Sequence, residues 1–184
     1  MKTKNILIAS LAVVFAGVLI SFKIVANKWN VATKEAKVSW NMPNGRHHGT
    51  FEGMVATFEF NPMDPANAVL KASVDVNTVK TDAGDRLDGH LKTADFFDAA
   101  NHPTMEFTAE SITKNDTGFV ATGKLHIRDS IKPVQVPFKF IQDEKKATFK
   151  GHMEIFAGDY GVMQKSEKKN DLVVIEIEVP VSEE

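Results

Sequence analysis

From Val38 to Val181 apolar side chains recur at every second position in run after run, and this one feature excludes most folds. Successive side chains of a strand point to opposite faces, so a period of two with polar residues between marks strands that bury one face. Val38, Trp40 and Met42 alternate with Ser39 and Asn41; Ala56, Phe58 and Phe60 with Thr57 and Glu59; Leu70, Ala72, Val74 and Val76 with Lys71, Ser73 and Asp75. Met105, Phe107 and Ala109 make a fourth row, Phe119 to Ile127 a fifth, and Val134, Val136, Phe138 and Phe140 a sixth. Phe149, Met153 and Ile155, then Val173 to Val181, complete eight predicted strands.

Turn residues separate the rows. Asn61-Pro62 and Asp64-Pro65 divide the second strand from the third, and Asn115-Asp116-Thr117-Gly118 reads as a hairpin tip. Gly53 sits where the buried face changes phase, which predicts a bulge or bend. Thr81 to Pro103 has no period of two. The spacing predicts a short helix over Asp85–Leu91, and Thr93 is placed to cap a second over Ala94–Asp98. About twenty residues of other structure inside an all-β domain usually cover something, so this segment is read as a lid over one mouth of a barrel.

Eight strands with mostly short connections suggest an antiparallel barrel or sandwich. The outward rows carry Lys71, Asp75, Glu106, Lys124, Lys139, Lys150, Glu176 and Glu178, which is incompatible with lipid facing every strand of an outer-membrane barrel. Phenylalanine outnumbers tyrosine thirteen to one, which suits a dry interior. The formal net charge is −2, with acidic and basic residues interspersed, so no nucleic-acid partner is expected. The absence of cysteine removes disulfides, thiolate nucleophiles and cysteine-bound metals.

Lys2 and Lys4 precede an apolar run, Ile6 to Ile20, which fits a signal peptide. Residues 1–26 are read as this signal or an uncleaved anchor, and 27–184 as the domain, periplasmic or secreted in the first case and membrane-held in the second. Ile24, two places before a break after Ala26, keeps both outcomes open. In either case the domain lies outside the cytoplasm; if the N-terminal segment is retained, it is what would contact the membrane.

Catalysis finds little support. His47 and His48 are adjacent on a predicted strand and point to opposite faces, and Asp85, Asp88 and His90 lack a diagnostic metal spacing. Neither catalytic nor metal residues are assigned. Asp88 and His90 are the pair an enzymatic reading at the lid would use. The inward rows admit two readings, a filled core whose outer loops bind a partner protein or the wall of a ligand tunnel.

Gly49-Thr50-Phe51-Glu52-Gly53, the lid's Asp85-Arg86-Leu87-Asp88-Gly89-His90-Leu91, Asp95-Phe96-Phe97-Asp98 with His102-Pro103, and Gly123-Lys124-Leu125-His126-Ile127-Arg128-Asp129 resemble, in order and spacing, the YceI-like polyisoprenoid-binding family. The resemblance covers roughly Trp29 to Val181. It implies a lipocalin-like eight-stranded barrel, an isoprenoid lipid such as a prenyl quinone or prenyl phosphate in a central tunnel, and no enzymatic activity. No cofactor is expected beyond that non-covalent lipid. On this reading Trp40, Phe58, Phe60, Val74, Phe107, Phe119, Ala121, Leu125, Phe138, Phe140 and Phe149 line the tunnel, while Arg86 and His90 meet the lipid head. Glu35-Ala36 and Ala157 depart from the family pattern, in which a His-Ser pair and an arginine are frequent.

Overall fold

The computed structural model describes residues 27–43, 45, 47–167 and 170–184. The expected export segment or anchor lies outside these described residues.

All strand pairs are antiparallel and the sheet closes on itself. Three of its eight staves are broken in two. β1 (Asn27–Val31) and β2 (Lys37–Asn41) form one, β3 (His48–Phe51) and β4 (Val55–Phe60) the next, and β5 (Val69–Asp75) with β6 (Lys80–Thr81) the third. The other five are continuous: β7 (Thr104–Asn115), β8 (Gly118–Ile127), β9 (Ser130–Asp143), β10 (Lys146–Phe156) and β11 (Leu172–Glu183). Neighbours run β1-β4-β5-β7-β8-β9-β10-β11, and β11 returns to β1. The last strand closes the barrel twice. Its C-terminal end pairs with β1 (Val181 opposite Val31) and its N-terminal half with β2 (Ile177 opposite Val38, Ile175 opposite Trp40).

The eight predicted rows thus correspond to the eight staves, but β1 was not among them. Its sequence NKWNV buries a single residue, Trp29, so no alternation announces it. The break between β1 and β2 is a turn in which the amides of Glu35 and Ala36 donate to the Ala32 carbonyl, with Ala36 tucked inside. The break between β3 and β4 falls at Gly53, whose φ of 69° accounts for the phase change there. The β7–β8 hairpin turns where expected, with the Asn115 side chain accepting from the amide and hydroxyl of Thr117.

The lid contains one helix, α1 (Asp85–Leu91). The second expected helix does not form. Thr93 instead closes tight turns, its carbonyl accepting from the amides of Phe96 and Asp98, and Asp98 takes a left-handed φ of 52° that ends any helical run. The turn brings the adjacent Phe96 and Phe97 both to the cavity.

One end of the barrel is solid. Phe60, with no exposed surface, sits 5.0 Å from the rings of both Phe119 and Phe140, 5.4 Å from Phe58 and 5.7 Å from Phe138. Phe138 stacks on Phe149 at 4.4 Å, and Trp29 packs edge-on against Phe140 while its indole N–H donates to the Phe60 carbonyl. Edge-to-face and offset pairs at these distances are the favoured aromatic geometries. Together these rings form a floor. Gly123, although it faces inward, leaves no space: a Cβ there would collide with the Thr108 carbonyl, where β7 bulges between Ala109 and Ser111.

Candidate ligand cavity

Above the floor the inward side chains cease to meet across the barrel, and a cavity of about 400 Å³ opens, within the range of small-molecule sites. Its lower wall is Phe58, Leu70, Val136 and Phe149. Its sides are Val38, Trp40, Phe51, Val74, Phe107, Leu125, Ile175 and Ile177. Leu87, Leu91, Phe96 and Phe97 of the lid, with Tyr160, Val162 and Met163 of the β10–β11 connection, form its ceiling. Trp40, Ala72, Met105, Phe107, Ile175 and Ile177 point inward yet are only half-buried. Apolar side chains with free surface on the inside of a closed sheet face an open interior rather than a packed core.

Of the residues expected to line a tunnel, Trp40, Phe58, Val74, Phe107, Leu125 and Phe149 do so. Phe60, Phe119, Phe138, Phe140 and Ala121 do not border the cavity; they belong to the packed region at and just above the floor, where Ala121 is fully buried between Ile112 and Val136 of the flanking strands. Alternation identifies the face on which a side chain lies but not its height along the barrel axis, and these five lie too low. Arg86 and His90 also stand outside the lining. Arg86 is exposed on α1, and the His90 ring packs against Phe96 at 4.8 Å. The lining from the β10–β11 connection was not anticipated. Its signal was there in Tyr160 and Val162, two apolar-bodied residues in a stretch without alternation.

Two anchors hold the lid down. On the β6 side the buried Asp88 carboxylate accepts from the Thr81 amide at 2.8 Å and hydroxyl at 2.7 Å, with Lys80 Nζ at 3.3 Å. The Thr81 hydroxyl bond chiefly, then its amide and Lys80, keep the Asp88 pKa below the ordinary carboxylate value against the opposing effect of burial. Asp88 is therefore a latch, with its oxygens committed to β6. On the far side Arg128, at a left-handed φ of 52°, donates from Nη1 to the carbonyls of Phe96 (2.6 Å) and Gly161 (2.5 Å). One guanidinium thus ties the lid to the β10–β11 connection across the mouth. His102 lies 3.5 Å from Asp129 and 3.9 Å from Asp98 beside it.

Polar groups are few on the cavity wall. His47 and Glu106, both exposed residues, border its edge, Glu106 from the outward-facing row of β7. Tyr160 is buried, and desolvation, with a smaller contribution from the Asp159 charge, pushes its hydroxyl up to about 12, so it stays a neutral donor. Trp40 Nε1 is sealed from solvent and finds no acceptor among the described residues.

The YceI-like domain pattern matches residues 29–182. The chain is similar to Protein YceI of Escherichia coli O157:H7, 30% identical over 121 residues, which is 62% of this chain and 63% of that protein. It is similar also to a UPF0312 protein of Azotobacter vinelandii, 30% identical over 125 residues and 64% of each chain. These matches span somewhat less than two thirds of the curated relatives' length. Among solved structures it resembles BcnA of Burkholderia cenocepacia, with a TM-score of 0.72 at 26% identity over 82% of this chain and 99% of that one. A polyisoprenoid binding domain from Saccharophagus degradans shares the fold at a TM-score of 0.61 and 10% identity, covering 88% of this chain and 100% of that one. With the barrel, its lid and a sequence match across almost all of the described residues, the chain belongs to the family of YceI-like domains.

Proposed function

We propose that this domain binds a long apolar lipid of isoprenoid type inside its barrel and carries, stores or senses it outside the cytoplasm. The observation that carries the reading is the cavity: apolar walls, a solid aromatic floor and a lid whose inner face is Leu87, Leu91, Phe96 and Phe97. The Saccharophagus degradans protein of the same fold, described as a polyisoprenoid binding domain, supports it. Each buried methylene is worth roughly 0.8 kcal/mol, so one five-carbon unit contributes about 3–4 kcal/mol before the cost of ordering the chain is subtracted. Binding of this kind rewards tail length, and a prenyl quinone or prenyl phosphate meets that requirement equally well at the tail end. The reading is one of binding rather than catalysis. Asp88 is engaged by Thr81 and Lys80, and His90 by Phe96, which leaves neither poised against a substrate in the cavity.

Mass spectrometry of lipid extracted from natively purified protein tests the proposal. A stoichiometric prenyl lipid is expected; an empty protein that also fails to take up prenyl lipid in vitro refutes it. For the export reading, intact mass of the protein from its own cells is expected to begin near Asn27, or to match the full chain in the membrane fraction if the segment is an anchor. Folded protein confined to the cytosol contradicts both.

A further inference from the structure

We infer that the barrel wall parts between β9 and β10, and that a chain-like guest passes the mouth along this side seam rather than by the lifting of α1. The parting belongs to the fold; the guest's use of it rests on the lipid reading above.

The seam is visible in the strand registers. β8 pairs with β9 over the height of the wall, from Phe119 opposite Phe138 to Ile127 opposite Ser130. β10 pairs with β11 just as fully, from Lys146 opposite Ser182 to Phe156 opposite Leu172. β9 and β10 pair only in their lower halves, from Asp143 opposite Lys146 to Phe138 opposite Gly151. Residues 130–137 and 152–156 face each other without a ladder. Two prolines account for this. The N–H groups of a strand point alternately to its two neighbours, so Pro133 and Pro137, four residues apart, lack theirs on the same side. The unbroken register with β8 puts that side toward β10. Above Phe138 the next donor would come from Pro137, and the ladder ends there.

The seam stands at the height of the cavity. Its foot is the floor ring Phe138 opposite Gly151, and above it Val136, Met153 and Ile155 line the cavity from the two sides. A Cβ on Gly151 would stand 3.3 Å from Val136 Cγ1, so the glycine lets that valine lean across. Side chains rather than ladder bonds close the wall here, and the Met153 thioether is an adaptable filler. At the top Arg128 holds the Gly161 carbonyl of the β10–β11 connection, joining the two sides. The outer lip is apolar: Ile131, Pro133 and Pro137 share the outward parity of β9, and Ile131 is 57% exposed. Parting β9 from β10 costs the Arg128 clasp and side-chain contacts but no ladder bond above Phe138, and it opens the cavity onto that lip. Lifting α1 would instead break the bonds of the buried Asp88 carboxylate to Thr81.

Amide exchange on the lipid-free chain tests the seam itself. The N–H groups of Gln135 and Glu154 point into it, while those of Val136 and Met153 point to β8 and β11. The first two are expected to exchange at least about tenfold faster than the second two, and equal protection overturns the seam. A tie across it tests the route. The chain has no cysteine, so Gln135→Cys with Glu154→Cys, both exposed, supplies the only thiols, one on each side. A short, cleavable dithiol-reactive linker then holds the seam shut from outside. The comparison pair His152→Cys with Glu176→Cys ties β10 to β11, where the ladder is already complete. Release of a prenyl benzoquinone into phosphatidylcholine vesicles is followed by the tryptophan fluorescence that the quinone quenches. Tying the seam is expected to slow release about tenfold or more, with the original rate restored on cleaving the linker, and tying β10 to β11 to change it less than about twofold. Unchanged release with the seam tied, or equal slowing by both ties, overturns the route and leaves the lipid reading standing. A chain that takes up no prenyl lipid defeats the lipid reading and the route with it, while the exchange pattern, which needs no lipid, still decides whether the wall is parted.

Discussion

Replacing Phe60 with alanine separates the floor from the cavity. Phe60 has no exposed surface and touches four other rings within 5.0–5.7 Å, so its removal empties the centre of the aromatic cluster. Phenylalanine-to-alanine changes in cores cost about 3–5 kcal/mol, and favourable ring pairs are worth roughly 0.5–1.5 kcal/mol each beyond burial, which places this site near 4–5 kcal/mol. For a domain of this size that corresponds to a melting-point loss of roughly 8–20 °C. The bond from the Trp29 indole N–H to the Phe60 backbone carbonyl does not involve the Phe60 ring and survives the change, so the strand ends stay joined. Urea titration and thermal scanning of lipid-free protein read the stability. Lipid affinity per folded molecule, measured well below the new midpoint, is expected to stay within about twofold, the contribution of a contact that is not made. Phe60→Leu, which leaves a smaller hole, provides a folded sample if alanine does not. A loss below about 1.5 kcal/mol would mean that the floor is loosely packed, and a sharp fall in lipid affinity with stability preserved would mean that the occupant reaches the floor; either result refutes the assignment of Phe60 to structure rather than site.

Other substitutions act above the floor. Ala72→Phe places a ring on the cavity wall, where Ala72 has free inner surface; lipid occupancy by mass spectrometry is expected to fall several-fold while overpacking costs at most about 1–3 kcal/mol, and unchanged occupancy would place the lipid elsewhere. Arg128→Ala removes both bonds across the mouth, so amide exchange over residues 93–102 and lipid off-rate are both expected to rise, the tail-binding surface being untouched; an unaltered off-rate would show that the lid does not limit release. Asp88 adds a pH dependence. Because its folded pKa lies below the ordinary value of 3.8, the lid anchoring it provides is complete above that value and is lost as pH falls through the lower folded one. Protection of the Thr81 amide is therefore expected to be flat from pH 5 to 8 and to drop only in strong acid, and Asp88→Asn is expected to open the β6 side of the lid at neutral pH.

The period of two was enough to assign eight staves and the inward set on each, because residues that share a face of a strand must share a parity. It could not separate Phe58 from Phe60: both face inward on β4, one strand step apart in height, yet one borders open space and the other is sealed beneath it. Height depends on how the staves are staggered, which is decided by pairings such as Trp29 with Phe58 in a strand too short and polar to be seen. The lid was legible as a departure from rhythm, and α1 fell where its helical pattern lay. That Arg86 and His90 stand outside the cavity lining was not legible, since the side of a short helix that turns inward is set by its anchors. Here Asp88, an acidic residue that reads as exposed, is drawn in by Thr81 and brings Leu87 and Leu91 with it.

Among the described residues the barrel is plugged at one end, which makes the lidded mouth both inlet and outlet. On the proposed lipid-binding reading a chain-like guest goes in tail first and leaves head first, without passing through the floor. Exchange then obeys the kinetics of a stoppered flask: the rate is set by how often the stopper lifts, and tail length affects how much stays in rather than how fast the stopper moves. The depth from ceiling to the Phe58–Phe149 layer also acts as a gauge. Tails that overrun it have to fold back on themselves or trail out beneath the lid, where they would prop open the closure that Arg128 holds shut.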